Sequence, residues 1–275
     1  MAENEREPGG KLGSAGMPEG LVTSVKNPRV KEARRLHRGK ERAETGQVLL
    51  DGRRLVETAV AEGVPLSCVF VLDPEDPLRD AAPFSLVVSP AVLSSLAVTL
   101  HPQGIVAVAD WRPASRLDEI LCLPSARVLV LDSVADPGNM GSLLRSAAAF
   151  DFDAAVLLRG SCDPTNPKCL RGAMGAIFSL PVVTKVSADY FLQQVRAQPG
   201  AAWTLVGASA ADGVLPQKVE VGERFALVVG SEAKGLGLTL AEALDSTVKI
   251  PMAVGVDSLN TAAAGSILMW HFALG

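Results

Sequence analysis

Aromatic residues are scarce: one tyrosine, three tryptophans and eight phenylalanines make up 4% of 275 residues. With 48% apolar residues overall, the core must be aliphatic, which suits an α/β protein. Cysteine and histidine are also few. Cys68, Cys122, Cys162 and Cys169 form no CxxC pair, and His37, His101 and His271 lie far apart. That argues against a zinc site and a disulfide framework and favours a reducing compartment. No apolar run reaches membrane-spanning length. The opening MAENEREPGG lacks the apolar stretch of a signal peptide and the acid-poor character of a transit peptide, so a soluble, cytoplasmic protein without membrane or metal is expected. There is no internal repeat, no P-loop and no G-x-G-x-x-G fingerprint. Positive charge is not in excess either: the net charge is −4 and the pI about 5.5, so any nucleic-acid site must come from local clustering.

Such a cluster exists. Residues 1–20, rich in Gly, Glu, Ser and Pro, read as a disordered leader. Lys26, Arg29, Lys31, Arg34, Arg35 and Arg38 then follow within 13 residues, with Lys40 and Arg42 just beyond. Asn27-Pro28 marks a turn into a short basic helix. Either this helix holds nucleic-acid phosphates or it is a solvated face. The strand VLL ends at Asp51-Gly52, and Leu55, Val56, Ala59 and Val60 form a helical stripe. Strands at 68–72, 86–88 and 103–110 and a helix capped by Ser89 complete a small α/β unit over 21–110. A linker, 111–123, leads to a second domain, 124–275.

In that second part strands and helices alternate. Strands are expected at about 126–134, 154–158, 181–184, 203–207, 225–229 and 247–250. Helices are expected at 139–150, 168–178, 188–197, 238–243 and 259–272. Alternation predicts a mostly parallel sheet covered on both faces, and pattern alone suggests an ordinary doubly wound fold.

Three segments stand out, each an apolar run ending in Gly-rich sequence with polar side chains: LDSVADPGNMGSLLRSAAAF (131–150), LVVGSEAKGLG (227–237) and IPMAVGVDSLNTAAAGSILMW (250–270). In the last, Ser258 and Asn260 sit where a helix begins and can cap it. In order, they carry Asn139, Gly141, Arg145, Ser146 and Ala147; then Gly230, Ser231, Glu232 and Gly235; then Ile250, Pro251 and Met252 with Ser258, Leu259 and Asn260. Together these motifs resemble the SpoU/TrmH family of RNA ribose 2'-O-methyltransferases in the SPOUT superfamily. The N-terminal half is similar to the accessory domain of two-domain members, which looks like a ribosomal-protein RNA-binding fold. KNPRVK, LLDGRRLV and HPQGIVAV carry that likeness.

The resemblance implies a C-terminal trefoil knot, one of the rare exceptions to unknotted topology. It implies S-adenosylmethionine as cofactor, held mainly by backbone at positions matching Gly230, Ile250 and Leu259. Arg145 would contact RNA phosphate and help activate the ribose hydroxyl. A guanidinium keeps its protons, so positioning and charge stabilisation are the roles it can fill most directly. Asn139 would orient Arg145 or the substrate, or cap its helix. Glu232 would hold the active loop or face a helix dipole. Ser258 and Asn260 would touch substrate or cap. The family's members are homodimers with the site built across the interface, and Trp270 and Phe272 offer apolar surface for one.

Three positions depart from family usage: Ala173 stands for a usual Ser, Asp151 for a frequent Gly and Thr261 for a frequent Val. Asp tolerates the unusual backbone angles that a Gly would serve. The expected activity is methylation of a ribose 2'-hydroxyl in ribosomal RNA, with the large subunit favoured. A tRNA methyltransferase, a catalytically weak RNA-binding assembly factor and a Rossmann-type metabolite enzyme are the alternatives.

Overall fold

The computed structural model describes residues 20–113, 116–200 and 202–274, so most of the expected leader lies outside the described residues. The chain begins with α1 (Pro28–Arg35), started by Asn27, whose side chain accepts from the Arg29 N–H at 3.0 Å, with Pro28 at the first helical position. α2 (Gly39–Thr45) ends at Gly46, which takes the left-handed conformation at φ +70°. β1 (Gln47–Asp51), α3 (Arg53–Ala61), β2 (Leu66–Val71), β3 (Ser85–Val87), α4 (Pro90–Leu96) and β4 (Ile105–Asp110) follow. They form a four-stranded sheet in the order β1-β4-β2-β3, antiparallel except for β2 with β3. Ser89 caps α4 as expected, accepting from the Val92 N–H.

The second half runs α5 (Leu117–Leu121), β5 (Ala126–Leu131), α6 (Pro137–Ala149), β6 (Ala154–Leu158), α7 (Pro167–Ala173), β7 (Val182–Val186), α8 (Ala188–Ala197), β8 (Thr204–Ala208), β9 (Arg224–Val229), α9 (Leu238–Ala241), β10 (Ser246–Val248) and α10 (Thr261–Leu274). The six strands pair in parallel in the order β10-β8-β9-β5-β6-β7. Helices cover both faces, and strands buried on both sides read as unbroken aliphatic runs. The expected helix 168–178 is two pieces. Met174 and Gly175 take φ of +50° and +87°, closing α7 and starting a single 3-10 turn, 176–178. The part of the expected linker at 117–121 is α5.

On one face α6 is flanked by α7 and α10, and glycines set both contacts. A Cβ on Gly141 would fall 2.9 Å from the Ala173 nitrogen and the Gly172 Cα, so only glycine lets α6 and α7 approach so closely. Gly265 of α10 lies under the Leu143 side chain. The core on this face does not stop at the end of the sheet. Leu129, Leu143, Leu170 and Ile177 belong to one buried cluster with Val48, Leu55, Val69 and Ile105 of the first sheet. Trp111 meets Phe178 edge-on at 5.5 Å, and Gly175 presses on Thr58. Each buried aliphatic side chain of this size contributes about 1.5–3 kcal/mol, so the two halves are welded.

Candidate active site

In open parallel sheets, ligands bind outside the carboxyl ends of the strands. Here β8, β9 and β10 end around a cavity of about 620 Å³. Its walls are Ser209–Ala211, the turn 230–236, Ile250, Met252 and the stretch 258–261, with Ala264 and Leu268 of α10 behind. That volume suits a nucleoside-sized ligand, and an apolar lining with few polar groups is usual for such a site. Gly230, Ile250 and Leu259, expected to touch a cofactor, all line it. Ile250 stands two residues past β10, where it also packs on the main core, and Leu259 lies before α10 begins. The turn is tight: Ser231 and Gly235 exchange both backbone hydrogen bonds, at 3.1 and 2.9 Å. A Cβ on Gly230 would collide with the Gly235 carbonyl, so glycine is the residue that allows the chain to fold back here.

At the rim three polar side chains close on one another. Asn139 donates to Glu232 Oε1 at 2.9 Å. Asn260 donates to the same oxygen at 2.8 Å and to Asn139 Oδ1 at 2.9 Å. Asn260 Oδ1 in turn accepts from the Ala262 and Ala263 N–H groups at 3.0 and 3.2 Å, and is the cap of α10. The Thr261 N–H also donates to Glu232 Oε1, at 3.3 Å. Glu232 therefore faces the positive end of α10, where a carboxylate is stabilised, and it orients two amides besides. The amide dipoles are fixed before any ligand arrives, which is what electrostatic preorganisation requires.

Some expectations need correction. Asn139 does not cap α6; Asp136 does, accepting from the Asn139 N–H at 2.8 Å. Ser258 lines the cavity, but among the described residues it makes no capping hydrogen bond; Asn260 alone caps α10. Arg145 is exposed and lies outside this cavity. It lines a separate open depression with Val98, Thr99, Lys168 and Arg171. It follows Asn139 by six residues, about 240° around the helix, so the two side chains leave α6 in different directions.

Of the basic N-terminal residues, Lys26, Lys31, Arg34, Arg35 and Arg38 are exposed, whereas Arg29 is half-buried over the Phe84 ring, 3.5 Å from its centroid. Arg42 is not part of that surface. It is buried, donating to the Leu36 and His37 carbonyls at 2.8 and 3.1 Å, to Thr165 Oγ1 at 3.0 Å and to Asp163 Oδ2 at 2.6 Å. It clamps the first half onto the loop after β6.

Asp132 was missed by sequence reasoning. It ends β5, is buried, and accepts from the Gly237 N–H at 2.7 Å, tying down the far end of the 230–237 turn. Its only signal was an acid where an aliphatic strand meets a Gly-rich loop. Asp151 takes φ +58°, the left-handed conformation its place of a glycine implied. Burial pushes the Cys68 and Cys162 thiols up to about 11, so neither offers a thiolate near neutral pH. Among the described residues no cluster could hold a metal ion, and no helix is long and apolar enough to cross a membrane.

Comparison with known proteins places both halves. Residues 126–270 match the SpoU rRNA Methylase family and residues 27–107 the MRM3-like substrate binding domain. The chain is 33% identical over 254 residues to the 23S rRNA (guanosine(2553)-2'-O)-methyltransferase RlmP of Bacillus subtilis, covering 91% of this chain and 98% of that one. An AdoMet-bound rRNA methyltransferase from Sinorhizobium meliloti superposes with a TM-score of 0.79 at 29% identity, over 91% of this chain and 96% of that one. The SpoU methyltransferase AviRb from Streptomyces viridochromogenes, solved with AdoMet, gives 0.81 at 26% identity, over 90% and 98%.

Proposed function

This chain belongs to the SpoU rRNA methylase family, and on that premise we propose that Asn139, Glu232 and Asn260 form the fixed rim at which it methylates a ribose 2'-hydroxyl of ribosomal RNA from S-adenosylmethionine. The closed hydrogen-bond ring of these three side chains beside a nucleoside-sized cavity carries the reading. The cavity's chemistry fits the cofactor: Gly230 exposes backbone, while Ile250, Leu259 and Leu268 give apolar walls. When bound, the cofactor would supply an electrophilic methyl group; Gly230, Ile250 and Leu259 would hold it, and the ring of Asn139, Glu232 and Asn260 would align the ribose hydroxyl. The rest is alignment, which is where such a transfer gains most of its rate. Ser258, on the cavity wall, is assigned to substrate contact. The 23S specificity of the Bacillus relative favours large-subunit RNA as substrate, and the intact ring favours an enzyme over a catalytically weak assembly factor.

We further assign residues 21–110 to substrate RNA and 124–275 to methyl transfer, joined through 111–123, in a cytoplasmic homodimer. α10 supports the dimer: Ala263, Ile267 and Trp270 are all exposed and stand at i, i+4 and i+7, an apolar stripe on one face. Ser146 of α6, next to Arg145, hydrogen-bonds Ser266 of α10 at 2.7 Å. On this reading each copy's Arg145 would serve the other copy's rim, since it lines a depression apart from its own. The knot belongs to the same reading and rests on membership of the family.

Transfer of labelled methyl to unmodified ribosomal RNA tests the assignment. Arg145→Ala should lower the rate about 100-fold, the scale of losing one charge-stabilising donor. Co-expressing Arg145→Ala with Glu232→Ala chains should restore activity, because a mixed dimer keeps one complete site. A mixture as inactive as its parents would rule out the shared site, and no methyl transfer by the wild type would rule out the function.

A further inference from the structure

We propose that the seam between the two halves carries a second grip on the RNA backbone, formed by Lys168 of α7 and Arg145, with Arg171 beside them. RNA as the ligand rests on the methyltransferase reading above. The grip itself rests on an open depression of about 440 Å³ in which three of seven lining residues are cationic and none is acidic.

The charges there are free to act outward. Lys168 and Arg145 are exposed, and among the described residues neither forms an ion pair. Arg171 is only partly committed. It donates to the Asp51 carbonyl at 3.3 Å and lies 3.8 Å from Asp51 Oδ2, with a third of its side chain exposed. Asp51 is buried and pairs with Arg171, offsetting its charge, so the net positive charge of the depression is carried by Lys168 and Arg145. Asp51 Oδ2 is turned into the loop beyond α4, accepting from the Val98 and Thr99 N–H groups and the Thr99 hydroxyl at 2.9–3.2 Å. That carboxylate shapes the N-terminal wall of the depression, and Val98 and Thr99 form the wall itself.

The loop that starts α7 is tied to the end of α1. Arg42 binds the carbonyls of Leu36 and His37 on one side and Thr165 and Asp163 on the other. Asn166, the next residue, caps α7 and so places Lys168. Asp163, the acid in that loop, is paired with Arg42. A polyanion with regularly spaced charges would meet Lys168 and Arg145 together; a small anion would need only one of them.

Lys168→Ala tests the grip, with Arg196→Ala as control. Arg196 is exposed on α8, on the opposite face of the sheet. Binding of transcribed, unmodified large-subunit ribosomal RNA is measured against salt, with S-adenosylmethionine affinity read separately. We expect Lys168→Ala to reduce the slope of log K against log [salt] by about 0.7–0.9, the signature of one lost phosphate contact. The KM for RNA should rise several-fold, with kcat and cofactor affinity unchanged. Arg196→Ala should match the wild type. A wild-type slope in both Lys168→Ala and Lys168→Glu overturns the grip, as does an equal loss in Arg196→Ala. A changed slope in a chain that transfers no methyl would sustain the grip and remove the activity.

Discussion

Replacing Gly230 by alanine tests whether the turn over the cavity is set by backbone contact alone. The new Cβ would sit against the Gly235 carbonyl and 2.8 Å from the Leu236 nitrogen, all backbone atoms that no rotamer change can move. Restoring ordinary contact near 3.5 Å requires the Ser231–Gly235 turn to open by roughly 1 Å. Forcing an extra carbon into a packed site costs about 1–3 kcal/mol. In a chain of this size that lowers Tm by roughly 2–10 °C. The same displacement moves Gly230, Gly235 and Leu236, all on the cavity wall, and a misplacement of 1 Å can cost on the order of 100-fold. The methyl-transfer rate reads the second effect and a thermal melt the first, with calorimetric titration of S-adenosylmethionine reporting whether the wall still holds the cofactor. Gly222→Ala is the control: its Cβ would meet only Thr204 Oγ1 at 3.8 Å, an ordinary contact, so it should leave both unchanged. A Gly230→Ala protein with wild-type affinity and Tm would refute the assignment of this turn as the cofactor wall.

Two further outcomes are expected. Asn260→Ala should cost about 1 kcal/mol for the lost cap of α10 and abolish most methyl transfer, whereas Asn260→Ser should restore the cap and the melt but not the activity, since it keeps no amide to donate to Glu232 and Asn139; recovery of both in Asn260→Ser would show that only capping matters. Arg42→Leu removes four hydrogen bonds and should destabilise by about 2–3 kcal/mol. Burial alone would raise the Asp163 carboxyl, but its bonds from Thr165 and Arg42 outweigh that and hold it below the usual range. Its contribution is therefore fully present above the unfolded value and lost as pH falls through the lower folded one. The Tm gap between wild type and Arg42→Leu should stay constant from pH 5 to 8 and narrow only below about pH 4; a gap that closes near pH 6 would point to another group.

Much of this was legible in the sequence because it depends on neighbours in the chain. Asn27-Pro28 and Ser89-Pro90 start helices where local capping chemistry says they should. Aliphatic runs such as 126–131 and 154–158 became central strands. The rim residues were identified because three motifs carried them, although Asn139 and Asn260 are 121 positions apart. What stayed hidden depends on partners remote in sequence. Nothing in the basic run distinguishes Arg42, which meets Asp163, from Arg38, which faces solvent. Apolar periodicity continues through Met174, so it could not show the left-handed break that ends α7. Asp132 acts on Gly237, 105 residues away. The direction of Arg145 could be read from helical geometry; the wall it would join could not.

The shared core of the two halves has a consequence for how such proteins can be recombined. Ile177 and Leu170 lean on aliphatic residues of the first sheet, and Thr58 sits against Gly175. A foreign RNA-binding module grafted at residue 111 would inherit a face built for other side chains. It would leave Leu170, Ile177 and Phe178 open to water, together with the Asp163 and Thr165 groups that Arg42 now satisfies. The unit of exchange is therefore larger than the N-terminal half: it must include the surface of α7 and the loop before it. The two halves are successive in sequence, yet they share one core and can be exchanged only together with it.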